Sequence, residues 1–208
     1  MNKRNLQKEL EKIIEKSAAA GVTPKLLLHA CCAPCSSYCM EYLSEYFLIT
    51  IYFYNPNIDN RQEYMKRVEE EKRLISEMNF KNQVSFIEGE YEPENFHRLV
   101  RGHEKDAEGK QRCFMCYEMR LNKCALAAKE GGFDYFATTL TISPVKDAAK
   151  LCEIGEAVGE RVGISYLPSD FKKKNGYKRS VELSQKYGLY RQDYCGCSFS
   201  KRKTETSI

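Results

Sequence analysis

From residue 25 onward, short apolar runs alternate with longer amphipathic stretches, a rhythm that predicts an α/β fold. Lys25-Leu26-Leu27-Leu28-His29-Ala30 and Leu48-Ile49-Thr50-Ile51-Tyr52-Phe53-Tyr54 have the length and continuous apolar character of buried strands, and Asn55-Pro56-Asn57 ends the second as a turn. Further strands are predicted at residues 84–87, 133–138 and 164–167. Helices are predicted at residues 36–45, 61–78, 93–100, 114–129, 146–160 and 178–187, with Gly131-Gly132 stopping the fourth of these. Strands alternating with helices imply a single domain with a mainly parallel sheet, helices on both faces and right-handed crossovers, a Rossmann-type alternation. Residues 2–19 carry Leu6, Leu10, Ile13 and Ile14 at helical spacing and are expected to form an N-terminal addition. The expected division is a helical extension at 1–24, the α/β domain at 25–200 and a basic C-terminal tail at 201–208. Open parallel sheets collect ligands beyond the carboxyl ends of their strands, which directs attention to the loop after the first strand.

Composition narrows the class. At 208 residues, 42% hydrophobic and 30% charged, the chain suits one well-buried domain. No stretch approaches the roughly 20 apolar residues of a membrane span. The charged, amphipathic N-terminus lacks an apolar leader segment, so a cytoplasmic protein with no membrane partner is expected. The net charge of +4 is too small to announce a nucleic-acid binder, but Lys172, Lys173, Lys174, Lys178 and Arg179 cluster, and Arg191, Lys201, Arg202 and Lys203 follow. Charge alone reads this as a solvated surface run, with a phosphate-facing patch as the alternative.

Cysteine carries the chemistry. Seven of the ten cysteines fall in three knots, Cys31-Cys32-Ala33-Pro34-Cys35, Cys113-Phe114-Met115-Cys116 and Cys195-Gly196-Cys197. A disulfide framework needs an oxidising compartment, which the N-terminus does not suggest, and doublets are poorly explained as mere buried packing. Cys32-Ala33-Pro34-Cys35 between a strand and a helix also fits a thiol–disulfide motif, yet that reading leaves Cys31 and the other two knots without a role. Thiolates are soft ligands, so zinc, copper(I) and iron–sulfur clusters stay open; seven clustered thiols exceed one tetrahedral zinc and favour a polynuclear site or two adjacent metals. The first loop contains no glycine, which disfavours a phosphate cradle. Cys39 lies one turn past Cys35 and is able to approach the site, whereas Cys124 and Cys152 fit as packing residues. His29 is either a neighbour of the ligands or a strand end. Asp193, two residues before Cys195, has the chemistry to ligate iron or manage a proton.

Five strings occur in order: His29-Ala30-Cys31-Cys32-Ala33-Pro34-Cys35; Tyr54-Asn55-Pro56-Asn57-Ile58; Arg112-Cys113 with Cys116-Tyr117; Thr138-Thr139-Leu140 with Ser143-Pro144; and Leu189-Tyr190-Arg191-Gln192-Asp193-Tyr194-Cys195-Gly196-Cys197. Together they resemble the QueH family of cobalamin-independent epoxyqueuosine reductases, from about residue 25 to residue 197. The resemblance implies a nucleotide-hydrolase-like α/β domain and the last step of queuosine formation, in which the epoxide oxygen of epoxyqueuosine is removed at the wobble position of tRNA. It further implies an iron–sulfur cluster, taken as 4Fe-4S, with an adjacent iron ion, both held by Cys31, Cys32, Cys35, Cys113, Cys116, Cys195 and Cys197; Asp193, from its place beside the last pair, is counted as a further metal ligand. On this reading Asp193, Tyr194 and Tyr117 supply protons. Lys172, Lys173, Lys174, Lys178, Arg179 and Arg191 then meet the anticodon stem, with Tyr177 or Tyr190 stacking on a loop base. An external electron-donor protein is required, because no flavin or nicotinamide fingerprint is present.

Overall fold

The computed structural model describes residues 4–201; of the expected tail, residues 202–208, with Arg202 and Lys203, lie outside the described residues. In chain order the elements are α1 (Leu6–Ala19), β1 (Lys25–His29), α2 (Ala33–Leu43), β2 (Leu48–Phe53), α3 (Arg61–Glu77), β3 (Val84–Glu88), α4 (Pro93–Leu99), α5 (Gln111–Glu130), β4 (Tyr135–Thr138), α6 (Ala148–Val162), β5 (Ser165–Tyr166) and α7 (Gly176–Lys186). Short 3-10 turns at Thr139–Ile142 and Ser198–Ser200 were not predicted from the pattern.

Every strand pairing is parallel and the order is β3-β2-β1-β4-β5. The chain therefore builds outward from β1 to β3, then returns to place β4 on the other side of β1. That reversal opens a crevice beyond the carboxyl ends of β1 and β4, the position at which such sheets bind ligands.

Alternation along β1 explains the two covered faces. Leu26 and Leu28 join a core with Met40, Leu43, Leu74 and Phe171, while Leu27 joins Leu121, Cys124, Ala125, Phe136 and Cys152 on the other side. The α1 helix, capped by the Asn5 side chain on the Lys8 amide, is no appendage. Leu10 and Ile14 enter the first core and Leu6 the second, so the segment expected as an addition is a packed layer of the domain.

Boundary shifts matter near the site. α2 begins at Ala33, three residues before the expected start, because Pro34 is tolerated in a first helical turn. α5 begins at Gln111, so Cys113 and Cys116 both lie in its first turns. α6 starts at Ala148 behind the capping Asp147, which leaves Lys146 in the preceding loop.

Candidate metal centre

β1 delivers Ala30, Cys31 and Cys32 directly to the start of α2. Cys32 is the extended residue before the helix, and its carbonyl accepts the amides of Cys35 and Ser36, each at 3.1 Å. This tight turn places the thiols of Cys31, Cys32 and Cys35 within 4.8 Å of one another. Hydrogen bonds shared with Cys32 and Cys35 lower the Cys31 thiol well below its ordinary range, and the charges of Arg120 and Lys146 act in the same sense. The same sharing with Cys31 pushes Cys32 up to about 12 and raises Cys35. One thiolate and two thiols thus make a ready trio for a soft metal.

The second pair arrives on α5 after a polar loop. Arg112 is buried and donates to the carbonyls of His103 and Glu104 at 3.2 and 2.9 Å, clamping that loop to the helix, and the Gly109 amide donates to the Cys113 sulfur at 3.2 Å. Cys113 packs against Cys31, Cys32, Tyr117 and Leu140. Cys116 packs instead with Cys197, Phe96 and Val100.

The third knot is carried by a strap, residues 189–197, fastened to α3. The Tyr190 amide and hydroxyl donate to Glu70 and Glu63 at 2.7 and 3.0 Å, and Arg67 donates to the carbonyls of Cys195 and Tyr194 at 3.3 and 3.5 Å. Gly196 takes a φ of +116°, and a Cβ there would sit 2.7 Å from Ile58 and 3.3 Å from Arg67, so only glycine lets the knot close onto α3.

These segments meet at the crevice between β1 and β4. Cys31, Cys35, Cys195, Asp193, Tyr194 and Lys146 line one cavity of about 300 Å³, with Arg191 at its edge. Among the described residues, no other trio of Cys, His, Asp or Glu comes as close as Cys31, Cys32 and Cys35. Cys113 packs on the cluster that contains Cys31, Cys32 and the buried Tyr117, whereas Cys116 and Cys197 pack together in a separate cluster. Cys39 does not join: its thiol bonds the Cys35 carbonyl at 3.3 Å. Cys124 and Cys152 are packing residues, each turned to a backbone carbonyl.

Arg120 gives the site its charge. It is fully buried, and its partners are His29 Nε2 at 3.2 Å, Asn55 Oδ1 at 2.6 Å and Cys116 Sγ at 3.9 Å, with no carboxylate among the described residues. A buried cation without an anion is strongly disfavoured. Burial, reinforced by Arg120, pushes His29 down to about 3, so it stays neutral and cannot add to the positive charge. The available anions are thiolates. Burial pushes Cys116 up to about 12 against the pull of Arg120, and burial also raises Cys113 and Cys197. Metal binding to such thiols releases protons and supplies the negative charge that Arg120 lacks. The donor set therefore fits a thiolate-bound metal group.

Residues 26–203 match the family described as epoxyqueuosine reductase QueH. The chain belongs to the QueH family. It is 45% identical to the epoxyqueuosine reductase QueH of Staphylococcus epidermidis, over 97% of this chain and 86% of that protein. Against the Streptococcus pyogenes QueH it is 45% identical, over 97% of the chain and 79% of the relative; against that of Thermotoga maritima, 34%, over 84% and 89%. The five-stranded parallel sheet is the fold expected from the QueH resemblance.

The expected RNA-facing residues separate. Lys172 donates to the carbonyls of Thr141 and Lys146 at 3.0 and 3.2 Å, Lys174 pairs with Glu11, and Arg179 grips Glu41 at 2.8 and 2.7 Å. Lys173 and Lys178 are exposed and form no ion pair among the described residues, while Arg191 donates to Ser184 at 2.9 Å. Tyr190 is covered by Lys66, 3.4 Å from its ring centre, whereas Tyr177 stays 40% exposed at the cavity. Among the described residues no helix is long and apolar enough to cross a membrane.

Arg120, Arg67 and Lys146 escaped the sequence reading. For Arg120 a signal existed, since position 120 falls on the same helical face as Cys113, Cys116, Tyr117 and Cys124. Arg67 resembles any charge in a Glu/Lys/Arg-rich helix, and Lys146 any loop lysine.

Proposed function

We propose that the chain is a cytoplasmic, iron–sulfur-dependent oxidoreductase that converts epoxyqueuosine to queuosine at the wobble position of tRNA, using electrons from an external donor protein. The observation that carries this reading is the burial of Arg120 beside Cys116, with no carboxylate partner among the described residues and with Cys31 and Cys195 also acting on its charge. Cys31, Cys32, Cys35, Cys113, Cys116, Cys195 and Cys197 would hold a 4Fe-4S cluster and an adjacent iron, with Asp193 beside them. When bound, such a group supplies single electrons and a Lewis-acidic position.

The chain's own residues supply the rest. Removing an epoxide oxygen as water consumes two electrons and two protons. Asp193 is exposed on the cavity wall, within reach of both cavity and solvent, and is the favoured proton donor. Tyr194 is a second donor, and Tyr117 a third from beneath Cys31 and Cys32; burial holds both phenols above the ordinary tyrosine range. The exposed Lys173, Lys178 and Arg191 would contact phosphates, and Tyr177, 40% exposed at the cavity, would stack on a loop base.

Anaerobic purification with visible spectroscopy, iron, zinc and sulfide analysis, followed by turnover of an anticodon stem-loop RNA carrying epoxyqueuosine, tests this reading. A brown protein containing iron and sulfide that yields queuosine is expected. A colourless protein holding zinc alone would overturn it.

A further inference from the structure

Lys146 occupies a singular position. It lines the 300 Å³ cavity with Cys31, Cys35 and Cys195, and it also lines a neighbouring basic groove of about 750 Å³ with Lys8, Lys173 and Lys174. The residue keeps some surface open to solvent, while its charged end reaches inward. Cys195, Tyr117, Cys31 and Cys35 are the ionisable groups that face its charged end. Among the described residues its ammonium makes no hydrogen bond and no ion pair, unlike Lys172, Lys174 and Arg179 nearby.

The backbone beneath it is fixed on three sides. The Lys146 amide donates to the Ser143 carbonyl at 3.2 Å, its carbonyl accepts the Lys172 ammonium at 3.2 Å, and the next residue, Asp147, caps α6 by accepting from Ala149 and Lys150 at 2.9 and 3.2 Å. A turn braced on three sides thus carries, among the described residues, an unpartnered cation at the cavity wall. Preorganised charge of this kind has its largest effect where new charge develops during reaction.

We propose that Lys146 is a catalytic residue that contacts the departing oxygen of the substrate and stabilises the negative charge that gathers there. This rests on the reductase reading given above. Both C–O bonds of the epoxide break, and the oxygen keeps both bonding pairs and leaves as water after taking two protons. The two electrons from a low-potential one-electron carrier become the new C=C π bond. Lys146 carries no electrons; its ammonium hydrogen-bonds the oxygen while that charge is transient. Lys172, braced on the Lys146 carbonyl, is the positioning residue for this contact.

The test compares the iron-loaded parent with Lys146→Met and Lys146→Arg, using chemical reductant and a stem-loop RNA bearing epoxyqueuosine. Expected for the Met variant are parental iron, sulfide and visible spectrum, RNA affinity within about twofold, and kcat lowered roughly 100-fold with KM nearly unchanged, in the range of a lost oxyanion donor. The Arg variant should recover a substantial part of kcat. Parental kcat in the Met variant would overturn the proposal, as would iron loss from both variants or a raised KM at unchanged kcat, which is the behaviour of a structural or phosphate-binding lysine. Absence of turnover in the parent would instead remove the reductase reading itself.

Discussion

Arg120 donates to the Asn55 side-chain oxygen at 2.6 Å, and Asn55 in turn donates to the Ala30 carbonyl at 2.9 Å, so one guanidinium is tied to the backbone that leads into Cys31. Charge and ligand position are thereby coupled. Arg120→Met keeps the volume and removes the charge, leaving the thiols with one less cation to favour their ionised form. The expected result is a loss of about 10-fold to 100-fold in iron affinity, the usual cost of removing an outer partner of metal ligands, read by competition with a chelator. Parental affinity would make Arg120 a packing residue only.

Glu71 makes a prediction about stability. Among the described residues both of its carboxylate oxygens are buried without a hydrogen-bond partner, and burial pushes its pKa up to about 8. The unfolded chain releases this proton near the ordinary glutamate value of about 4.3. Below that value both states are protonated and the contribution is full; as pH climbs towards 8 only the unfolded state ionises, so stability falls. Denaturant melts at several pH values between 5 and 7.5 should show the parent losing up to about 1.4 kcal/mol per pH unit more than Glu71→Gln. Parallel pH profiles would show that Glu71 is ionised and partnered in solution.

RNA affinity should divide the basic residues by their existing partners. Lys173 and Lys178 are open, whereas Lys174 and Arg179 are engaged with Glu11 and Glu41. Replacing both open lysines with alanine should lower the slope of log affinity against log salt by about 1.4 to 1.8, since each neutralised phosphate contributes roughly 0.7 to 0.9. Lys174→Ala and Arg179→Ala should leave the slope nearly unchanged. An equal effect in all four would mean that the internal ion pairs open when RNA binds.

What could be read before folding follows the physics of local patterns. Continuous apolar runs such as residues 25–30 announce buried strands, and the Cys31-Cys32 and Cys35 spacing announces a cluster of thiols, because both signals live within a few residues. The position of α1 in the core was not legible, since Leu6, Leu10 and Ile14 look the same on an appendage as on a packed layer. Nor were the fates of Lys172 and Arg179: an exposed lysine and one bound to a distant carbonyl differ only in tertiary contacts. Arg67 and Glu70, which fasten the last cysteine knot, are separated from it by more than a hundred residues of sequence.

Asp193 has two readings that one substitution separates. The strap that carries it is held by Arg67 on the Tyr194 and Cys195 carbonyls, so its carboxyl is presented at a fixed place on the cavity wall while remaining open to solvent. A proton donor needs both properties, placement for transfer and access for reloading. Tyr117 has the first without the second, because it is almost wholly buried. Asp193→Asn should therefore lower kcat by about 10²- to 10⁴-fold, the range typical of a lost general acid, with iron content and visible spectrum retained. Tyr117→Phe and Tyr194→Phe should cost less, and Asp193→Glu should restore part of the rate. Loss of one iron per chain from the Asn variant would instead assign Asp193 as a metal ligand, and undiminished turnover would exclude it from the chemistry.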